Sequence, residues 1–190
     1  MSARTDRLKI HHFLPYSRAN GPGVRAVLWV QGCTLGCPGC YNPLTHPPQG
    51  GQWLDIDAIM ESLRSLGRSI EGLTVSGGEP FQQPSALLAL FQRVRAETDL
   101  SVLVFSGFTL EEIQRIPEGP DILEHIDVLI AGRYQENLRL ARGLMGSANK
   151  KAHLLTPRYS MKDLQAVPDA EVILTPTGEI MLSGIENLIW

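Results

Sequence analysis

An α/β fold, built as an open, partial β/α barrel of about six mainly parallel strands, is what this sequence predicts, and three observations predict it. Short apolar runs alternate along the chain with amphipathic runs of helical spacing, the pattern of βαβ units. The composition, 43% hydrophobic and 19% charged, allows one good core to be buried. The chain has 190 residues, whereas a closed eight-unit barrel typically needs about 250. No internal repeat, low-complexity tract or linker divides it, so a single domain over residues 1–190 is expected.

The elements follow in order. "VRAVLWV" (24–30) reads as a buried strand, and the Pro/Gly-rich "NPLTHPPQGG" (42–51) as loop. "DIDAIMESLRSLG" (55–67) has helical spacing, an Asp near its start and Gly67 where a C-cap would sit. "IEGLTV" (70–75) is the next strand, "PSALLALFQRVRAET" (84–98) the next helix, and "LSVLVFSG" (100–107) a third strand. "TLEEIQRI" is read as helix and "IDVLIAG" (126–132) as strand, followed by a polar segment with helical tendency and the strand-like "AHLLT" (152–156). "AEVILTPTGEIMLSG" (170–184) resembles a hairpin turning at Thr177-Gly178.

Composition narrows the function. Seventeen Lys and Arg stand against twenty Asp and Glu, a formal charge of −3, which leaves no basic footprint for nucleic acid. Neither a signal peptide nor a membrane-length apolar run is present, so a cytoplasmic protein is expected.

All three cysteines fall in "GCTLGCPGCYN" (32–42): Cys33, Cys37 and Cys40. They follow the first strand and precede the first helix, on the side of the sheet where α/β proteins place chemistry. Disulfides fit poorly with an odd count, short spacings and a reducing compartment. Structural zinc requires four closed ligands, and His46 is the only nearby candidate for the fourth. Clustered thiolates suit a [4Fe–4S] cluster, three of them leaving one iron without a protein ligand. Three structural thiols are the remaining alternative.

The spacing Cys33-x3-Cys37-x2-Cys40 is the signature of the radical S-adenosylmethionine (SAM) enzymes. "NGPGVRAVLWVQGCTLGCPGCYNP" (20–43) resembles the opening of the activating enzymes of glycyl radical enzymes, above all the short anaerobic ribonucleotide reductase activases. The likeness continues through "VSGGEP", "FSGFT", "IDVLIAGRY" and "GSANK". It implies a radical SAM type of partial barrel holding one [4Fe–4S] cluster, with SAM on the open iron. The expected partners are a glycyl radical enzyme and an electron donor such as flavodoxin or ferredoxin.

The resemblance also carries site residues. Gly77, Gly78 and Glu79 of "SGGEP" are expected to receive the SAM amino group, so that valine at position 78 would disturb SAM and spare the cluster. Gly39 stands where many members have an aromatic residue, and Gly39 and Tyr41 flank the third cysteine near the adenine. Ser106 occupies the place of an acid that contacts the ribose in longer activases. Where an acid is frequent the chain has Ala131, leaving Arg133 to meet the SAM carboxylate and Asp127 as a strand-end cap. Arg25 is expected either to neutralise the cluster or orient its loop, or to form a surface salt bridge. A stand-alone radical SAM enzyme acting on a peptide or metabolite, and a non-catalytic metal-binding module, are the alternative functions.

Overall fold

The computed structural model describes residues 6–174 and 177–185. In chain order it contains β1 (Arg7–Ser17), β2 (Arg25–Val30), β3 (Gln52–Asp55), α1 (Ile56–Leu66), β4 (Gly72–Gly77), α2 (Pro84–Glu97), β5 (Ser101–Phe105), α3 (Leu110–Ile113) and α4 (Gly119–Leu123). There follow β6 (Val128–Ala131), β7 (Arg139–Arg142), β8 (Met145–Ser147), β9 (Lys151–Leu154), α5 (Met161–Gln165), β10 (Ala170–Leu174) and β11 (Ile180–Gly184).

The main sheet has seven strands in the order β3-β1-β2-β4-β5-β6-β9. Only its middle is parallel: β2, β4, β5 and β6 run together, while β1 runs against both β2 and β3, and β9 against β6. The expectation of about six mainly parallel strands is corrected to a mixed sheet of seven. Chain connectivity explains the difference, because a parallel pair needs a crossover of a dozen or more residues. Seven residues separate β1 from β2, too few for a crossover, and β9 is reached through the small β7–β8 hairpin rather than a helix. That hairpin replaces the helix expected in the polar segment.

The period-2 alternation of the central strands gives the sheet two apolar faces. On one, Leu28, Val75, Val104 and Leu129 pack against Ile59, Met60 and Leu63 of α1 and Leu87, Leu90 and Phe91 of α2. Burying each such side chain contributes roughly 1.5–3 kcal/mol. On the other, Leu103, Val128 and Ile130 are covered by Leu144, Tyr159, Leu164 and Val167, largely from the C-terminal part of the chain.

Helix boundaries follow local chemistry. Proline at its first position starts α2, and Gly67, at φ 53°, ends α1. Asp55 precedes α1 without capping it, and its carboxylate instead pairs with Arg7 at 2.9 Å. The helix expected over 109–116 is a single turn, α3, opened by a Thr109/Glu112 capping box and stopped before Pro117. The C-terminal hairpin has the expected strands, with Leu174 opposite Ile180, and two residues of its connection lie outside the described residues.

Candidate functional site

A cleft of about 640 Å³ opens at the C-terminal ends of the parallel strands, the end at which α/β sheets bind ligands. Cys33, Cys37 and Cys40 line it, together with Gly77, Gly78, Glu79, Ser106, Tyr41, Tyr134 and Lys150. No helix among the described residues is long and apolar enough to cross a membrane.

The thiol loop is pinned at both flanks. Gly32 N donates to Thr45 O at 2.7 Å and Cys33 N to His46 O at 3.1 Å, while the Gln31 amide donates to Leu44 O and Pro47 O at 3.2 and 2.7 Å. Inside the loop Gly36 and Gly39 have φ of 60° and 67°, values that side chains rarely adopt. A Cβ on Gly39 would also stand 2.7 Å from the Glu136 carboxyl. A side chain before the third cysteine would therefore strain this backbone and push the Glu136 carboxyl aside.

All three thiols are free and half-buried. Backbone amides are already aimed at two sulfurs, Leu35 at Cys33 and Asn42 at Cys40. Burial pushes both thiols up from their ordinary range, and their like-charged neighbours add to this. Thiolates supplied with amide donors in an electrostatically crowded loop suit a cationic iron–sulfur core that takes up their charge. Among the described residues no three of His, Cys, Asp and Glu stand close enough to hold a single metal ion. The donor set fits a three-thiolate cluster.

The Gly77-Gly78-Glu79 segment is latched directly to this loop. Gly78 N donates to Val30 O at 2.8 Å and Glu79 N to Gly32 O at 2.9 Å. The contact requires glycine: a Cβ on Gly78 would lie 2.3 Å from Gly32 O, and one on Gly77 2.6 Å from Val30 N and O. The expectation that valine at 78 spares the cluster is thus corrected, since the backbone it strikes is the residue preceding Cys33.

Glu79 is 1% exposed. Its carboxylate accepts from Phe81 N at 3.0 Å, Ser106 Oγ at 2.8 Å and Gly107 N at 2.7 Å. Burial, the largest influence, raises its pKa; the three donors and the Lys150 ammonium oppose that rise. Ser106 Oγ also accepts from Phe108 N at 3.0 Å, so both residues are engaged in tying the end of β4 to the end of β5.

Tyr41 meets Tyr134 edge-on, ring centroids 5.1 Å apart, and Arg139 donates to its hydroxyl at 2.7 Å. Together the two rings give the cleft an aromatic wall. Arg133, by contrast, pairs with Glu112 at 2.7 Å and lies over Phe108, outside the set of residues lining the cleft. The cation that does line it is Lys150, whose Nζ donates to the Gly132 and Ser106 carbonyls. Burial lowers its pKa, and Glu79, Cys37 and Cys40 oppose the shift. Neither Lys150 nor Tyr134 has a local sequence signal, although both fall within or beside segments that carry the resemblance.

Two further expectations settle differently. Asp127 is a structural cap, accepting from Val102 N and Arg95 at 2.8 Å and from Thr156 at 2.7 Å. Arg25 is neither near the thiols nor at the surface. It begins β2, at the opposite end from the cysteines, is 0% exposed and makes six hydrogen bonds, to Thr74, Pro22, Ser101, Tyr159 and Leu73.

Residues 19–153 match the model of a 4Fe-4S single cluster domain. The anaerobic ribonucleoside-triphosphate reductase-activating protein of Vibrio cholerae is 35% identical over 157 residues, covering 78% of this chain and 99% of its own. The proteins of the same name from Escherichia coli K12 and phage T4 are 32% and 33% identical, covering 78% and 72% of this chain and 99% and 88% of theirs. Among solved structures, QueE from Escherichia coli superposes on 54% of each chain with a TM-score of 0.45 at 15% identity. With its three thiols gathered on one glycine-shaped loop beside the Gly-Gly-Glu segment, the chain belongs to the family of the anaerobic ribonucleoside-triphosphate reductase-activating proteins, and it carries their 4Fe-4S single cluster domain.

Proposed function

We propose that this enzyme cleaves SAM reductively and uses the resulting radical to install a glycyl radical on an anaerobic ribonucleotide reductase. The observation that supports the reading is the backbone latch between the thiol loop and Gly77–Glu79, which brings the three thiols and the Gly-Gly segment to one cleft. Cys33, Cys37 and Cys40 would hold a [4Fe–4S] cluster. When bound, the cluster supplies the electron that splits SAM into methionine and a 5′-deoxyadenosyl radical, the species that takes hydrogen from the partner's glycine.

The chain's own residues bind and enclose. Gly77 and Gly78 line the cleft, and with no side chain of their own they leave their backbone open to close approach by a ligand, although the Gly78 amide itself is spent on Val30 O. Glu79 and Ser106 hold that segment in place from below rather than by touching SAM. Tyr41 and Tyr134 offer ring surface to the adenine, and Gly39 lets the loop turn back toward them. Lys150 is the half-buried cation at the same wall, and it offsets the negative charge of thiolates and Glu79. A flavodoxin or ferredoxin in the cytoplasm would supply the electron.

The test is anaerobic reconstitution with iron, sulfide, SAM and a reductant. The expected result is about four iron and four sulfide per chain and 5′-deoxyadenosine. With the glycyl radical reductase encoded in the same genome, a glycine-centred doublet should appear in the electron paramagnetic resonance spectrum. Many turnovers on a peptide or metabolite without a protein radical would replace this reading with a stand-alone enzyme. One zinc per chain and no sulfide would leave only a metal-binding module.

A further inference from the structure

The C-terminal hairpin presents an apolar face for which nothing in the catalytic reading has a use. Val172 and Leu182 oppose each other across it, as do Leu174 and Ile180, so the four side chains share one face. They are 43%, 51%, 71% and 66% exposed, respectively. A cluster of that kind on a soluble protein marks an interaction site. We propose that this face docks the protein whose glycine-bearing loop enters the thiol cleft. The inference rests on the activating function proposed above.

The hairpin belongs to the cleft. Met181, Leu182, Ser183 and Gly184 of β11 line the same space as the three cysteines, so Leu182 joins the apolar face to the cleft, while Ile180 lies outside the lining. Its base is fixed: the Glu171 carboxylate accepts from Ser17 and from Arg18 N at 2.9 Å, and Asn20 donates to Ser183 Oγ at 2.7 Å. Leu174 and Ile180 lie toward the tip, at the end of the hairpin away from this base. A macromolecule reaching into the cleft past β11 therefore meets the apolar face beside its path.

The choice of occupant follows from chemistry and size. An electron carrier steered by charge needs a charged docking face, and these four side chains carry none. The patch is large enough only as one part of a contact that continues across the cleft mouth, where Leu44 of the thiol loop is 76% exposed. The family model ends at residue 153, and 78% of this chain spans 99% of the Vibrio cholerae relative. The hairpin thus lies beyond the residues that the family model matches.

The experiment uses the full chain with its cluster reconstituted, in wild-type form and as Leu174→Ser, Ile180→Ser and the double variant. Neither residue lines the cleft. Binding to the glycyl radical reductase of the same genome is measured anaerobically, beside partner-free formation of 5′-deoxyadenosine and sedimentation of the protein alone. The expected result is an affinity at least tenfold weaker for the double variant, the loss seen when anchor side chains are removed, with partner-free 5′-deoxyadenosine unchanged. Equal affinity overturns the docking face while leaving the activating function intact. A wild-type dimer that the variants disperse reassigns the face to a second copy, and slower reduction by flavodoxin with unchanged reductase binding reassigns it to the carrier; each overturns the proposal. Failure of the wild-type protein itself to bind the reductase or form the radical sinks the activating function instead.

Discussion

Ser106 donates its hydroxyl hydrogen to Glu79 Oε1 at 2.8 Å, across the gap between the ends of β4 and β5. Two residues that the sequence offers as separate cofactor contacts are thus partners of one another. Glu79→Gln keeps the shape but places an NH2 group against amide donors, leaving a buried clash. The expected cost is about 2–3 kcal/mol, read as a lower thermal midpoint, with Ser106→Ala costing about 1 kcal/mol. If both variants melted like the wild type and lost only SAM affinity, the two residues would be ligand contacts after all.

Gly78→Ala should lower iron content as well as SAM binding, because its Cβ meets Gly32 O at 2.3 Å, next to Cys33. Gly36→Ala is the control. Nothing lies within 4 Å of its Cβ, and the left-handed backbone there costs roughly 1–2 kcal/mol. Iron and sulfide analysis should therefore find the cluster retained at 36 and depleted at 78.

Arg25→Met is expected to destabilise the fold by about 3–5 kcal/mol, since it leaves the Ser101, Thr74 and Tyr159 hydroxyls and the Leu73 carbonyl without their buried donor. Iron per folded molecule should not change, because Arg25 sits at the far end of the strands from the thiols. Denaturant unfolding and iron analysis on the same preparation separate the two effects.

The Glu112 carboxyl is held below its ordinary range, first by Arg133 and then by the Thr109 amide. Its folded pKa is depressed, so its stabilisation is present above the ordinary carboxyl pKa and is lost as pH falls through the folded value. Glu112→Gln should cost about 0.5 kcal/mol at pH 7, the small value of a solvent-screened pair. The two proteins should converge in stability as the pH falls through the folded Glu112 value, which lies below the ordinary carboxyl pKa. A difference that persisted at acid pH would mean that the capping geometry, not the charge, matters.

The parallel centre of the sheet was legible because β2, β4, β5 and β6 are continuous apolar runs, and the helices α1 and α2 because their buried residues recur at helical spacing. β1 was not. Its alternation is broken between Ile10 and His12 by a register shift, and it carries Pro15, which argues against a strand interior. The β7–β8 hairpin lacks an Asn-Gly or Asp-Gly signal and turns instead through Ala141 and Leu144 at φ of 50° and 70°, conformations that only long-range packing enforces. The cysteines and the Gly-Gly-Glu segment were legible by spacing. Lys150 entered the cleft only through the pairing of β9 with β6, a long-range placement to which local spacing is blind.

The Gly32 peptide limits what can be transplanted. Its carbonyl receives Glu79 N, its amide is spent on Thr45 O, and its neighbour Cys33 is held by His46 O. A designer moving residues 32–42 to a new scaffold would carry the sulfurs but leave behind most of the partners that give the loop its shape. The smallest portable unit is discontinuous: residues 30–46 with the ends of two adjacent parallel strands in their present register. Grafts that ignore the second strand should yield a thiol-rich loop that takes up iron without a defined stoichiometry.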